Sequence, residues 1–559
     1  AKYARNRRAK FGVETARFAY DEAVKGYERA LKLLPTIAGA KERYDVIRKE
    51  FGDGNDSALS LTVEKIEFSE LFSAMYKFYS DSPVGTIVIE NTTGRVIDRL
   101  TAETEAKTFM DFPTESRPAR GIKPGEKVKV QLYALFNNRI LSITEDTPIA
   151  FKIRLRYTIE GKELETVSSG NATVYNRNAL TWDSPEKLAS FITPRDSTVK
   201  MCARSTVQMF RNSRFNFMPQ NLQTAIAVYD MLGAYGMTYA PDPRTPFASY
   251  SKLKGKVDYI QYPRDTLRFK TGDCDDLTSM YCALLENIGI ETAFVTVPGH
   301  IFMMFNTGVT EKRKAEVSSN ENLTVVRGGY VWVPVETTLV GKQFIEAWEN
   351  ASSTYARYAK EKAADVTDTK TAWEKYAPVT LDDSTWEAAL PARDMIDRIF
   401  SKDINTMIER ELSPRLKDLN ARFEKSGAAV DANRLGIAFA RFDRLDDAEK
   451  WFKRAVSIDG GCVAALNNLG NVYMLRGKDD DAKKMYADAL AFKNNDALAH
   501  LNLAIMYQKN GDGKKAADEF RTACEMNPGL SKEYASLGQS GDSETKASEV
   551  ILSPAWEDQ

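Results

Sequence analysis

Two kinds of hydrophobic periodicity follow one another along the chain, and they predict several domains of different architecture. Between about residues 56 and 180 apolar positions alternate with polar ones, as in TPIAFKIRLRYTIEG, where every second residue from Ile149 to Ile159 is apolar. Turns such as Lys123-Pro124-Gly125 separate the strands that this alternation predicts. Antiparallel strands with one polar face favour an immunoglobulin-like β-sandwich over residues 56–180.

The last fifth of the chain has a helical pattern that repeats every 34 residues. Small residues occupy equivalent positions at Gly436, Gly470 and Ala504. Further equivalent sets are Ala448, Ala482 and Ala516; Phe452, Tyr486 and Phe520; and Ala455, Ala489 and Ala523. Small residues let paired helices approach closely, while the aromatic rings fill the space between pairs. This pattern resembles the tetratricopeptide repeat family, which implies three repeats over about 428–529, an α-solenoid and a concave protein-binding surface.

A similar spacing occurs in AVKGYERALKLLP, where Ala23, Tyr27, Ala30, Leu31 and Pro35 match the second helix of a repeat. Residues 1–50 are therefore predicted to be helical, as part of a repeat or as a capping pair. An ordinary amphipathic helix fits equally well, because no matching first helix precedes the segment.

One segment between these regions combines the residues of a possible thiol site. Apolar positions at helical spacing predict a buried helix from about 274 to 288, with Asp273 as its N-cap. Cys274 then lies in the first turn, where the helix dipole favours a thiolate. Asp275 and Asp276 oppose that effect unless their carboxylates point elsewhere.

The strands predicted after this helix supply a base and an acid. They are ETAFVTV, HIFMMF and YVWVPVETT, and adjacent antiparallel strands can bring Cys274, His300 and Glu336 together. A thiol, an imidazole and a carboxylate are the minimal apparatus for acyl transfer through a covalent intermediate. His300 and His500 are the chain's two histidines, so a reaction that needs an imidazole must use one of these two residues.

The order GDC, GI, a strand opened by His and a Trp-containing strand ending in an acid resembles the transglutaminase-like cysteine peptidase superfamily, over about residues 205–345. The resemblance implies that Cys274 is the nucleophile, His300 the general base and acid, and Glu336 the third member. Asp is more usual at that third position. The resemblance also implies oxyanion donors, for which the sequence offers the Cys274 N–H and an upstream Gln261 or Tyr262.

Other reactive residues have structural interpretations. Cys282 is predicted to be buried packing on the same helix, and His500 to be a helix residue of the repeats. The Asp273, Asp275 and Asp276 cluster lacks the oxygen count and glycine of a calcium loop, so a helix cap is favoured. We expect no cofactor and no metal.

The composition of the chain limits the classes of partner and location that the sequence predicts. Lys and Arg total 77 against 78 Asp and Glu, a net charge of −1, which does not predict a nucleic-acid partner. No run of about 18 apolar residues predicts a membrane span. Five scattered cysteines form no disulfide framework. A periplasmic or cell-envelope location is favoured over the cytoplasm because a strand-rich module accompanies an amidase-like domain.

The sequence thus predicts a multidomain α+β protein with a β-sandwich, a transglutaminase-like (papain-like) α+β domain and a repeat solenoid. The predicted ranges are 1–50 helices, 56–180 sandwich, 181–345 transglutaminase-like domain, 346–427 helical connector, 428–540 repeats with a capping helix, and 541–559 polar tail. The first functional hypothesis is a thiol enzyme acting on amide bonds of a protein or peptide recruited by the repeats, with hydrolysis slightly favoured over cross-linking. The alternative is a non-catalytic protein-binding scaffold with a relic transglutaminase-like fold.

Overall fold

The chain divides into two compact units, residues 1–179 and 180–559. The computed structural model describes residues 23–30, 39, 41–45, 60–210, 215, 217–242, 255–534, 537 and 554–558. Residues 23–30 and 41–45 are helical, whereas Leu31 and Pro35 lie outside the described residues. Among the described helices, none combines the length and the apolar character needed to cross a membrane.

The described part of the first unit contains two β-sheets. Its strands are β1 Thr62–Phe68, β2 Leu71–Phe72, β3 Gly85–Glu90, β4 Ile97–Glu105, β5 Thr114–Glu115, β6 Ala119–Ile122, β7 Lys127–Leu132, β8 Thr147–Ile159 and β9 Lys162–Tyr175. One sheet has the order β1-β3-β7, and the other has the order β2-β9-β8-β4-β5 with β6 beside β4. Phe68 of β1 stacks on Phe151 of β8 with ring centroids 4.7 Å apart, so side chains of the two sheets meet in one core.

The alternation predicted for the longest segment is present in β8. Ile149, Phe151, Ile153, Leu155 and Tyr157 are all buried, and the residues between them are exposed or half-buried. β8 pairs in antiparallel register with β4 on one side and β9 on the other. Such a strand has one face on the core and one polar face, as the sequence indicated.

The second unit begins with an α/β layer. Its strands are β10 Ala179–Thr181, β11 Thr238–Tyr239, β12 Val257–Tyr259, β13 Thr271–Gly272, β14 Thr292–Val297, β15 His300–Thr310, β16 Val325–Arg327, β17 Tyr330–Val335 and β18 Asp365–Asp368. Its helices are α1 Ser197–Phe210, α2 Gln220–Tyr235, α3 Pro263–Phe269, α4 Cys274–Asn287, α5 Phe344–Lys360 and α6 Thr369–Lys375. The central sheet has the order β16-β17-β15-β14-β18, in which every neighbouring pair is antiparallel.

Helices cover the central sheet on both faces. Phe302 and Met304 of β15 pack with Trp332 of β17 against Ala351 of α5. Helix α4 contacts β14 and β15 and is buried along most of its length. The hairpin of β14 and β15 pairs Val297 with His300 across its turn, which places His300 at the edge of the layer.

The segment predicted as a helical connector, residues 346–427, is not helical throughout, since residues 376–392 are irregular and four earlier residues form a strand. Asp365–Asp368 forms β18 and adds a strand to the central sheet beside β14. The strand has only four residues, DVTD, so it carries no measurable alternation. The connector proper is α7, Arg393–Ser426, a helix of 34 residues.

Three helix pairs follow α7. They are α8 Ala429–Ala440 with α9 Leu445–Ile458, α10 Val463–Leu475 with α11 Asp479–Phe492, and α12 Ala497–Lys509 with α13 Gly513–Met526, and the short helix α14 Leu530–Glu533 comes next. The aromatic side chains Phe452, Tyr486 and Phe520 are buried in the second helix of each pair, as predicted. The region is a C-terminal run of helices consistent with tetratricopeptide-like repeats.

Candidate functional site

The start of helix α4 is fixed by a capping box. The Asp273 carboxylate accepts a hydrogen bond from the Asp276 N–H at 3.5 Å, and the Asp276 carboxylate accepts one from the Asp273 N–H at 3.3 Å. A side chain at Gly272 would meet the Asp276 Cβ at 2.6 Å, so this position requires glycine. Cys274 is consequently the first residue of the helix, as predicted.

His300 and Glu336 are brought together at the ends of β15 and β17. The His300 Nε2 lies 2.6 Å from the Glu336 Oε2. The other carboxylate oxygen, Oε1, accepts hydrogen bonds from the Thr338 N–H at 3.1 Å and the Thr338 hydroxyl at 2.6 Å. Both oxygens of Glu336 are therefore oriented, and the Nδ1 of His300 is left for a second partner.

The Cys274 thiol lies beside this pair. Its sulfur accepts a hydrogen bond from the backbone N–H of Ile301, the residue next to His300. Burial raises the pKa of Cys274 well above its usual value, and the charges of Asp275, Asp273 and Glu336 raise it further. The residue is 5% exposed. The sulfur thus rests as a protonated thiol rather than as a preformed thiolate.

The neighbouring carboxyl groups are themselves held toward their neutral forms. Burial is the largest cause that raises the pKa of Asp275 and of Asp276, and the charge of Asp273 adds to it. Ligand atoms of Asp273, Asp275 and Asp276 all lie within 4.8 Å of one another. Asp275 accepts a hydrogen bond from the Asp276 N–H at 2.8 Å, so the cluster serves the helix start.

The sequence offered Gln261 and Tyr262 as oxyanion donors, but the side chains of both residues have other contacts. The Gln261 Nε2 donates to the Asp276 Oδ2 at 2.7 Å, and its backbone N–H donates to the Asp276 Oδ1 at the same distance. Tyr262 is fully buried and stacks on Phe191 with ring centroids 5.1 Å apart. Both residues support the helix start and the core around it.

Tyr239 is a site residue that the sequence did not indicate. The two-residue strand β11 pairs in parallel with β13, and Tyr239 lies opposite Gly272. Burial raises the pKa of the Tyr239 phenol, and the charges of Cys274, Asp273 and Glu336 raise it further. The side chain is 45% exposed. A strand of two residues has no periodicity, so no pattern could have indicated its pairing.

Cys282 and His500 have the predicted structural positions. Cys282 is fully buried on α4, and burial raises its pKa. The His500 Nδ1 lies 2.7 Å from the Glu519 Oε2 between α12 and α13. Neither residue contributes to the group formed by Cys274, His300 and Glu336.

Comparison with known proteins assigns part of the repeat region. Residues 462–494 match the family model for the tetratricopeptide repeat, and no curated protein matches the chain. The solved structures similar to the chain include the crystal structure of MamA, at 21% identity over 24% of this chain and 95% of that one, with a TM-score of 0.18. Native E. coli alpha-2-macroglobulin matches at 12% identity over 84% of this chain and 25% of that one, with a TM-score of 0.16. At these TM-scores neither likeness bears on fold or function.

Residues 462–494 thus match a tetratricopeptide repeat, and the helix pairs around them are consistent with repeats of the same kind. Such repeats are a protein-binding architecture, which indicates a protein or peptide partner.

Proposed function

We propose that the chain is a thiol enzyme that acts on amide bonds of a protein or peptide, with Cys274 as the nucleophile. The observation that carries the proposal is the 2.6 Å contact between His300 and Glu336 beside the sulfur of Cys274. A base oriented by a carboxylate and adjacent to a thiol at a helix start can run acyl transfer. The transglutaminase-like pattern in the sequence points to the same class.

The proposed reaction begins with a neutral thiol. As the sulfur attacks the amide carbon, its proton passes to the Nδ1 of His300, while Glu336 holds the Nε2–H. The same proton then passes to the leaving nitrogen as the C–N bond breaks, which leaves a thioester on Cys274. Water hydrolyses the thioester with His300 as its base, and an amine acceptor in place of water would give cross-linking.

The oxyanion of the tetrahedral intermediate needs donors. The Cys274 backbone N–H belongs to the first turn of α4, where amides have no partner within the helix. The Tyr239 hydroxyl is the second donor that we propose. Burial and the nearby acidic groups raise the pKa of the phenol, so it stays protonated and able to donate.

Alkylation of Cys274 tests the proposal. Cys274 and Cys282 lie on one helix, so iodoacetamide modification mapped by peptide mass spectrometry compares them within one sample. We expect the Cys274 rate to exceed that of Cys282 at pH 8 and to fall at least tenfold in His300→Ala. Cys282→Ser serves as the matched control and should leave the Cys274 rate unchanged.

A Cys274 rate that is unaffected by His300→Ala would reject the enzyme and favour the alternative, a protein-binding scaffold. With the thiol rate established, a proteome-derived peptide library treated with wild type or Cys274→Ala distinguishes hydrolysis, which gives new termini, from cross-linking, which gives branched products.

A further inference from the structure

Five asparagine side chains line the first helices of the three helix pairs. All are fully buried, and they are Asn433 of α8, Asn467, Asn468 and Asn471 of α10, and Asn502 of α12. They bond to each other across the pairs, through Asn468 to Asn433 at 2.9 Å and through Asn502 to Asn467 at 3.1 Å. An amide offers both donors and an acceptor, so such a row can bind the main chain of an extended peptide.

The segment Pro554–Asp558 of the same chain occupies this row. The Ala555 N–H donates to the Asn502 Oδ1 at 2.9 Å. The Ala555 carbonyl accepts from the Asn502 Nδ2 at 3.0 Å and from the Asn471 Nδ2 at 2.8 Å. One asparagine thus binds both the donor and the acceptor of a single peptide residue.

The arrangement recurs two residues further on. The Glu557 N–H donates to the Asn468 Oδ1 at 2.8 Å. Its carbonyl accepts from the Asn468 Nδ2 at 2.7 Å and from the Asn433 Nδ2 at 2.9 Å. Recognition of alternate residues through the main chain is how a β-strand is bound, and it leaves the intervening side chain to face the other way.

The intervening residue, Trp556, supplies an aromatic anchor. Its ring stacks on Phe452 at 6.0 Å between centroids and 14° between planes. It joins a buried cluster that includes Ile437 and Leu469. A large ring in an apolar pocket is the usual centre of a binding surface, and the main-chain bonds set its register.

The side chains of the two acidic residues of the segment also form hydrogen bonds with the helix pairs. The Glu557 Oε2 accepts from the Asn467 Nδ2 at 2.9 Å, and the Asp558 Oδ1 accepts from the Arg434 Nε at 2.9 Å. Burial raises the pKa of Glu557 to about 7, and the charge of Asp496 contributes. The pocket therefore accepts a glutamic acid whose carboxyl group is held toward its neutral form, or its amide isostere, followed by an acidic residue.

We propose that the asparagine row is a peptide-binding groove and that Pro554–Asp558 fills it in cis as a built-in competitor. A partner enters through an extended segment with an aromatic residue, then Glu or Gln, then an acidic residue, and it must first displace the chain's own segment. The proposal is independent of the thiol chemistry, because every contact that carries it lies in the helix pairs and residues 554–558.

Tethering sets the strength of this competition. A segment joined to its groove by a short connection meets it at an effective concentration on the order of 1 mM. For a groove that binds the free segment at about 10 μM, cis occupancy weakens an external peptide by roughly 100-fold.

The segment also lines a larger space. A cleft of about 750 Å³ is lined by Pro554 and Trp556 together with Phe217, Arg313 and Phe442 of the α/β layer and repeats. Cys274, His300 and Glu336 do not line it. Release of the segment would enlarge this cleft between the layer and the first helix pair.

A synthetic peptide ILSPAWEDQ, labelled with fluorescein, tests the groove in the full chain. Ala555→Pro removes the N–H that donates to the Asn502 Oδ1 and alters no groove residue. Ala555→Ser retains that N–H and is the matched control. By fluorescence anisotropy, we expect Ala555→Pro to bind the probe about 100-fold more tightly than wild type and Ala555→Ser do. Adding Asn468→Ala to Ala555→Pro should abolish that gain.

Three outcomes would overturn the proposal. Equal probe binding by wild type and Ala555→Pro would mean that the segment does not compete. No probe binding by Ala555→Pro at 100 μM protein, with the circular dichroism of wild type, would mean that the row is not a peptide site. A concentration-dependent dimer of wild type in sedimentation velocity that Ala555→Pro abolishes would mean that a second copy, not the same chain, fills the groove.

Discussion

The two histidines contact carboxylates through opposite ring nitrogens. His300 faces Glu336 through Nε2, at 2.6 Å, and His500 faces Glu519 through Nδ1, at 2.7 Å. A carboxylate holds the N–H of a neutral imidazole, so it selects the tautomer. The Nδ1 of His300 is then an acceptor, which is the state that a base for the Cys274 thiol requires.

Imidazole tautomers measured in histidine-labelled protein provide a direct check. Long-range ¹H–¹⁵N correlation spectra should show His300 with its proton on Nε2 and His500 with its proton on Nδ1. Glu336→Gln should convert His300 to a mixture of tautomers, because the amide can donate or accept, and His500 should stay unchanged. The same tautomer at both histidines would contradict the orientation of His300.

The sequence predicted the local structure around these residues better than their surroundings. A capped helix start and a strand opened by His300 are local patterns that the structure has, and the third strand ends at Val335, directly before Glu336. The raised pKa of Cys274 depends on burial and on carboxyl groups that meet only after folding. The local pattern therefore predicts where these residues lie in their helix and strands but not their protonation.

At the scale of elements, the repeats depend on close approach between the two helices of a pair. A side chain at Gly470 in α10 would meet the Tyr486 Cε1 of α11 at 2.6 Å, and the Tyr486 hydroxyl donates to the Asn471 Oδ1 at 2.8 Å. The glycine thus positions a ring that in turn fixes one asparagine of the groove.

Gly470→Ala should destabilise the repeats by about 1–3 kcal/mol, because the clash outweighs the gain in helix propensity. Gly460→Ala is the matched control, since nothing lies within 4 Å of an added Cβ there, and it should change stability by less than about 0.5 kcal/mol. Urea unfolding followed by circular dichroism compares the two. Equal stability of the two variants would show that the pairs repack without cost.

The elements that the sequence did not predict are either very short strands or a segment that is bound through its main chain. The polar strand β18 and the two-residue strand β11 have too few residues for a period. The predicted polar tail, residues 541–559, contains the groove segment at 554–558, and its other residues lie outside the described ones. The asparagines of the groove bind main-chain groups, so the sequence pattern does not indicate which segment they bind.

At the scale of the whole second unit, a buried pair of carboxyl groups joins α7 to the α/β layer. Asp230 of α2 and Asp403 of α7 are each 1% exposed, and Asp403 accepts a hydrogen bond from the Phe344 N–H at 2.5 Å. Burial raises the pKa of Asp230 well above its usual value, and the charge of Asp403 and a hydrogen bond with it add to the effect. A carboxyl group that is held toward its neutral form therefore lies at the contact between the two elements.

This pair makes stability depend on pH. The pKa of Asp230 is raised in the folded state, so its stabilising contribution is complete below the unfolded pKa and is lost as pH rises through the folded one. Relative to wild type, Asp230→Asn should gain about 1.4 kcal/mol of stability per pH unit over the range above pH 4 in which Asp230 stays protonated.

Urea unfolding at pH 5, 6 and 7, followed by tryptophan fluorescence, measures the difference. Asp480→Asn is the control, because that side chain is fully exposed. Parallel pH profiles for wild type and Asp230→Asn would show that burial beside Asp403 does not raise the pKa of Asp230.

Helix α7 connects the α/β layer to the first helix pair. Its 34 residues span about 50 Å, with Phe400 against Phe210 of α1 in its first part and Phe423 against Trp451 of α9 near its end. Because α7 is one continuous helix between these two contacts, the first helix pair can tilt against the α/β layer only where the helix itself bends.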